Sequence, residues 1–235
     1  MTGWTMKRFW TKATANPAPG GFAIALDGRP VKTPAKAPLV VPTAGLAQAI
    51  AAEWNAQTGA VRPETMPFTR TANSAIDKLA KQHPEVVALL ADYGGSDLLC
   101  YRAGHPAALA ARQATVWDPI LAWAADSLGA PLAVTEGVVP VAQPAASLQA
   151  LKARIDALDP FRLAAFHDLV AIPGSLVLAL AVTHGRIAPQ AAWDASRIDE
   201  DWQIADWGAD EEAAEAAALR REAFLHAHRF YDLCL

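Results

Sequence analysis

The sequence predicts an α+β fold, with a small β-rich domain over residues 1–80 that holds one or two helices and a larger helical domain over 81–235. Three observations lead there. Prolines and an Asp-Gly pair cut the first 42 residues into short extended pieces. From Thr43 onward apolar residues recur at helical spacing. Proline then returns at positions that the first turn of a helix tolerates.

In the β-rich part, Phe22 to Leu26 is a short apolar run followed by Asp27-Gly28, the dipeptide that best supplies the two positive φ angles of a tight hairpin turn. Val31 to Thr33 is the expected return strand and Leu39 to Val41 a third. Pro30, Pro34, Pro38 and Pro42 donate no ladder hydrogen bonds, so these strands should be short edge pieces. Thr43 then caps a helix running to about Gln57, with Leu46, Ile50, Glu53 and Trp54 on one face and Gly59 beyond its end.

Further helices are expected to begin at Pro84, Pro106, Pro144, Asp159-Pro160 and Pro189, because a missing N–H costs nothing at the first helical position. Gly94, Gly129 and Gly185 are the matching stops. Pro119 lies inside the periodic run Leu109, Val116, Trp117, Ile120, Trp123 and should kink or split that helix. Leu176 to Val182 is apolar all round, as a central buried helix would be. Ser175 before it reads as a helix start, since the G-x-S-x-G pattern of a catalytic serine is missing.

Composition bounds the function classes. The chain has 235 residues and is 53% hydrophobic, but 54 alanines inflate that figure, and larger apolar residues make up only about 30%. That load suits an ordinary globular core and excludes dominant disorder. The longest apolar run, Leu169 to Val182, is broken by Pro173-Gly174 and is shorter than the roughly 20 residues of a membrane span. Cys100 and Cys234 are far apart with no paired spacing, which reads as two separate buried thiols. The first twelve residues show neither a secretory nor a mitochondrial leader, so a cytoplasmic protein is expected, or a mature form with its leader removed.

Charge is unevenly spread: residues 1–36 carry a net +5 and residues 193–235 a net −7. Such a dipole suits steering of a partner. The basic residues are too few and scattered for a nucleic-acid footprint. There is no phosphate-binding G-x-x-x-x-G-K-[ST] loop, no dinucleotide fingerprint around Gly94-Gly95, and no metal spacing among the six histidines, so no cofactor or metal is expected.

The segment Ala191 to Gly208 carries the most information. On one continuous helix, Trp193, Ser196, Glu200, Gln203, Ile204 and Trp207 share a face, while Asp194, Asp201 and Trp202 lie off it. A carboxylate at Glu200 among tryptophans needs either a basic partner inside the fold or a groove in which it meets another protein. Trp202, off the stripe, is a candidate exposed anchor. A catalytic alternative has Glu200 acting with Asp97 or Asp118 in a carboxylate-dependent hydrolase or transferase.

Several runs together resemble one family: Leu26 to Pro34 (LDGRPVKTP), Leu39 to Pro42, Ala52 to Gln57 (AEWNAQ), Met66 to Asp77, Ser96 to Arg102, Gln113 to Pro119, and Ile198 to Gln203 with Trp207-Gly208. They are similar to the ATP synthase F1 assembly chaperones that bind the α subunit, the type called mitochondrial F1 complex assembly factor 2, which has relatives in some bacteria. The resemblance spans roughly residues 7–208. It implies an ATP-independent chaperone, not an enzyme, that holds free F1 α subunit until it pairs with β. It also implies partner-binding roles for Glu200, in the D-E-x-x-Q stretch, and for Trp54, in E-W-x-x-Q. Gln203, Trp202 and Trp207 complete the expected binding set, Trp202 standing where phenylalanine is expected. A transient α-subunit partner, a monomeric chaperone, and a bacterial cytoplasmic location are the corresponding expectations, or the mitochondrial matrix for a mature eukaryotic form. An interaction module for another partner is the bland alternative. Trp4 and Trp10 have no role in this reading.

Overall fold

The computed structural model describes residues 7–235, and Trp4 lies outside them. The fold is α+β, with a small strand region at the start and a larger helical part after it. The described residues pack as two compact units: residues 7–83 with 159–165 and 229–235, and residues 84–158 with 166–228.

In the first unit, β1 (Ala13–Ala18) and β2 (Gly21–Leu26) pair antiparallel over their whole length, from Ala13 opposite Leu26 to Ala18 opposite Gly21. β3 (Arg29–Pro30) and β4 (Val40–Val41) both pair with β2. The Asp27-Gly28 turn forms as expected, with φ of +46° and +81°. The return strand starts earlier than Val31, directly after this turn, and β1 is a further strand that no apolar run or turn signal marks. At Gly21 an added Cβ would lie 2.2 Å from the Val41 carbonyl oxygen, so only glycine lets β4 close on β2.

α1 (Ala44–Ala56) packs on β1 and β2 through Leu46, Ala47, Ile50 and Ala51, and Thr43 Oγ1 accepts from Leu46 N–H at 3.2 Å to cap it. α2 (Pro67–Ser74) continues into a π-helical turn, Ala75–Leu79. Phe68 stacks on Phe230 at 6.2 Å, and Thr43 Oγ1 also donates to the Leu233 carbonyl, so the last residues complete this unit.

The second unit is helical: α3 (His83–Asp92), α4 (Ala107–Leu128), α5 (Ala145–Asp156), α6 (Pro160–Ala171), α7 (Leu176–Thr183), α8 (Pro189–Ser196), α9 (Ile198–Trp207) and α10 (Glu211–Leu233), where His83, the first half of α6 and the end of α10 belong to the first unit. A two-residue parallel ladder, β5 (Tyr101–Arg102) with β6 (Thr135–Glu136), joins it. Pro160 and Pro189 open their helices as expected, while Pro84, Pro106 and Pro144 lie one residue from the observed starts, and Gly129 closes α4 with a left-handed φ of +66°. α7 is the buried centre: Leu176 to Val182 are at most 3% exposed. Ser175 caps it by accepting from Leu178 N–H at 3.0 Å.

The expected split at Pro119 does not occur, and α4 runs unbroken through it. Burial of Trp117, Ile120, Leu121 and Ala124 on either side outweighs a missing hydrogen bond that costs about 3 kcal/mol. Among the described residues no helix is long and apolar enough to cross a membrane.

Candidate functional site

The 191–208 segment is two helices rather than one. Arg197, at φ −107° and ψ 7°, breaks the path between α8 and α9. Trp193 and Ser196 therefore do not share a face with Glu200. Trp193 is 7% exposed and packs on Phe224 at 6.3 Å, and Ser196 Oγ donates back to the Trp193 carbonyl at 2.7 Å. A straight helix would set Trp193 and Ile198 about 140° apart. With the break, both are buried.

α9 is fixed at its start. Asp199 Oδ1 accepts from Gln113 Nε2 at 2.6 Å, and Gln113 Oε1 accepts in turn from Ala103 N–H at 2.8 Å. Trp117 Nε1 donates to the Ala195 carbonyl at 2.8 Å just before the break. Asp199, Glu200 and Asp201 in the first turn suit the positive end of the helix dipole. Beyond Ile198, α9 is exposed except for half-buried Asp199 and Trp202.

Glu200 is both partnered and accessible. Its Oε1 lies 3.2 Å from Arg197 Nη1, and its side chain is 48% exposed. The Arg197 guanidinium also lies over the Trp193 ring, 5.8 Å from its centre. The pair thus rests on a buried aromatic base with its carboxylate at the surface.

Glu200, Gln203 and Trp207 line one groove, of about 460 Å³, between α9 and the alanine-rich first half of α10. Ile204 joins them, 41% exposed, and Trp207 is 81% exposed. Gly208 (φ +94°) ends α9, and Asp210 Oδ1 accepts from Ala213 N–H at 2.7 Å to start α10. Small Ala213, Ala214, Ala216 and Ala217 leave the floor of the groove open. The fully exposed tryptophan of α9 is Trp207, not Trp202, because Trp202 lies off the groove-facing stripe and partly against the protein.

The last predicted residue, Trp54, lies in the first unit. It is 8% exposed, meets Trp10 edge-on at 5.2 Å, and lines a separate cavity of about 570 Å³. Trp10 thereby gains a role as the cover of Trp54. Arg8 sits 5.7 Å from the Trp10 ring centre and donates to the carbonyls of Asn55 and Gln57, the unpaired end of α1.

The match that decides identity covers the first half of the chain: residues 7–125 correspond to the family described as ATP12 chaperone protein. The chain belongs to that family. The mitochondrial protein atp12 of Schizosaccharomyces pombe is 25% identical over 223 residues, 90% of this chain and 77% of that one. The crystal structure of Atp12 from Paracoccus denitrificans is 51% identical and superimposes with a TM-score of 0.95, over 97% of this chain and 98% of that one. The Atu1473 protein of Agrobacterium tumefaciens is 42% identical with a TM-score of 0.93, over 97% and 86%. This is the F1 assembly chaperone family that the motifs resemble.

Within this ATP12-family chain, much of the E-W-x-x-Q motif is internal wiring. Glu53 reaches from α1 to start α2, accepting from Phe68 N–H at 2.6 Å, Thr69 N–H at 2.8 Å and Thr69 Oγ1 at 2.7 Å. Burial pushes its carboxyl above the usual range against these bonds. Gln57 accepts from Arg62 N–H at 2.8 Å and donates to Thr65 Oγ1 at 3.0 Å, pinning the turn after α1. Sequence spacing offers no hint of these roles.

The carboxylates of the catalytic alternative do not converge. Asp97 is fully buried and accepts from Ser175 Oγ at 2.7 Å, Val177 N–H at 2.9 Å and Leu99 N–H at 3.0 Å. Burial lifts its pKa to about 6 in spite of these donors. Asp118 is a surface group paired with Arg102 at 2.8 Å. Neither lines the groove that holds Glu200. Cys100 and Cys234 are free thiols raised to about 12, mainly by burial, and so lack thiolate reactivity.

Proposed function

We propose that this chain is an ATP-independent chaperone that binds the free α subunit of F1 ATP synthase, keeps it from aggregating before it pairs with β, and carries no catalytic activity. The observation that carries the reading is the α9–α10 groove. Trp207 and Ile204 stand exposed there, beside a carboxylate and an amide, over a floor of alanines. Exposed tryptophan is the residue type most enriched among interface anchors, and a small-residue floor accepts an incoming side chain or helix.

In this reading Trp207 and Ile204 bury apolar surface of the client, while Glu200 and Gln203 supply polar contacts at the edge. The Arg197 pair holds Glu200 in place, and Trp202 braces α9 from behind. Binding is transient and the chaperone is a monomer, acting in the cytoplasm of a bacterium or in the mitochondrial matrix of a eukaryote.

Co-expression with α subunit alone tests this. Soluble α and a co-eluting complex on gel filtration are expected with the native chain, and Glu200→Lys should keep a native circular dichroism spectrum while losing the complex. Equal insolubility of α with and without the chaperone would overturn the proposal. Retained complex in Glu200→Lys would remove Glu200 from the contact set.

A further inference from the structure

The first unit holds a cavity that the groove beside Glu200 does not explain. Trp54, Met66 and Val61 form apolar walls in a space of about 570 Å³, within the range of dedicated binding pockets. Lys32, Lys36, Arg70 and Lys78 also line it, and all four are exposed. Among the described residues none of the four is in an ion pair. Four unpaired cations around an apolar pocket form a concentrated positive field in a chain whose net charge is −4.

The one acidic residue lining the cavity, Asp77, offsets only one of the four positive charges. Asp77 Oδ1 accepts from Thr33 Oγ1 at 2.6 Å and Oδ2 from Ala35 N–H at 3.1 Å, so its carboxylate is held by the 33–37 loop and forms no ion pair with the four cations. That loop is closed again by Lys36 N–H donating to the Thr33 carbonyl at 2.9 Å and Ala37 N–H to Thr33 Oγ1 at 3.2 Å. These bonds keep Lys36 at φ +69°, a conformation a lysine adopts only when its surroundings impose it. The acid thus places a cation at the cavity.

We propose that this cavity docks an extended acidic peptide segment of a client protein, with an apolar side chain against Trp54 and Met66 and flanking carboxylates on Lys36 and Arg70. A lone inorganic anion would leave the apolar walls wet, and a neutral hydrophobic segment would leave the excess positive charge unanswered. A peptide that alternates acidic and apolar residues satisfies both. The site is independent of the α9–α10 groove and of the identity of the client.

The test uses the full chain and short fluorescein-labelled peptides that alternate Glu with Leu, Ser with Leu, or Lys with Leu, read by fluorescence anisotropy. The Glu-Leu peptide should bind at least about tenfold more tightly than the Ser-Leu peptide, weaken with salt, and protect amides within residues 61–78 from hydrogen exchange; the Lys-Leu peptide should not bind. K36E/R70E, both at exposed positions, should reduce Glu-Leu affinity at least about tenfold with an unchanged circular dichroism spectrum, and K36R/R70K should restore it. Equal affinity for Ser-Leu, binding unaffected by K36E/R70E, protection confined to residues 197–220, or full competition by free glutamate would each overturn the proposal. None of these results bears on α-subunit solubility, so the two readings fail separately.

Discussion

The side-chain amide of Asn55 holds both backbone groups of Ala13: its Oδ1 accepts from Ala13 N–H at 2.7 Å, and its Nδ2 donates to the Ala13 carbonyl at 2.9 Å. A helix side chain here substitutes for a neighbouring strand at the start of β1, at a residue that is only 3% exposed. Buried backbone groups left without partners are costly. Asn55→Asp keeps the shape but turns a donor into an acceptor facing a carbonyl. It should destabilise the chain by about 2–3 kcal/mol, and Asn55→Ala by about 1–2 kcal/mol, in urea unfolding. A cost below the error of that measurement would mean that water replaces Asn55 freely.

Asp97 predicts a pH dependence. Its folded pKa, near 6, lies above the ordinary 3.8, so the folded state binds the proton more tightly than the unfolded chain does. The stability it contributes is therefore greatest below pH 4, falls between about pH 4 and 6, and is flat above. The amide introduced by Asp97→Asn does not titrate. The loss of stability in Asp97→Asn should be larger at pH 4 than at pH 7, and a loss that grows with pH would show that the donors around Asp97 outweigh its burial.

Pro119 offers a substitution that stabilises. It is exposed in the middle of α4 and contributes no N–H to the helix ladder. Pro119→Ala should raise stability by about 1–3 kcal/mol, seen as a higher Tm. A lower Tm would mean that the packing of Trp117 and Ile120 depends on a bend at the proline.

Two tryptophans separate folding from binding. Trp193→Ala opens a cavity beside Phe224 and should cost about 3–5 kcal/mol. Trp207→Ala, at 81% exposure, should change stability by no more than about 0.5 kcal/mol while weakening the α-subunit complex at least about tenfold. The measurements are urea unfolding and gel filtration of the co-expressed complex. Unchanged complex formation by Trp207→Ala would remove the groove as the contact.

The parts legible in sequence are those governed by local chemistry. Pro144, Pro160 and Pro189 mark helix starts because the ring fixes φ, and the Asp27-Gly28 turn because few dipeptides reach positive φ. α7 is evident from its unbroken apolar run. Glu200, Gln203 and Trp207 fall together because helical spacing holds within α9. β1 escapes notice because Ala-Thr-Ala-Asn-Pro-Ala has little strand preference, and it forms through pairing with β2 and the bonds from Asn55. The break at Arg197 carries no proline or glycine. It arises from tertiary packing, which buries Trp193 and Ile198 together. The anchoring of Asp199 by Gln113 joins residues 86 positions apart, and no local pattern announces it.

The stacking of Phe230 on Phe68, and the bond from Thr43 to the Leu233 carbonyl, set an order of events during synthesis. The β-rich unit is begun first but cannot be completed until the helical unit has been made, because part of it comes from residues 229–235. On the ribosome its sheet and first two helices must wait, with apolar surface uncovered, while the whole helical unit emerges. The two parts of this unit that meet across Phe68 and Phe230 are thus the parts of the chain made furthest apart in time.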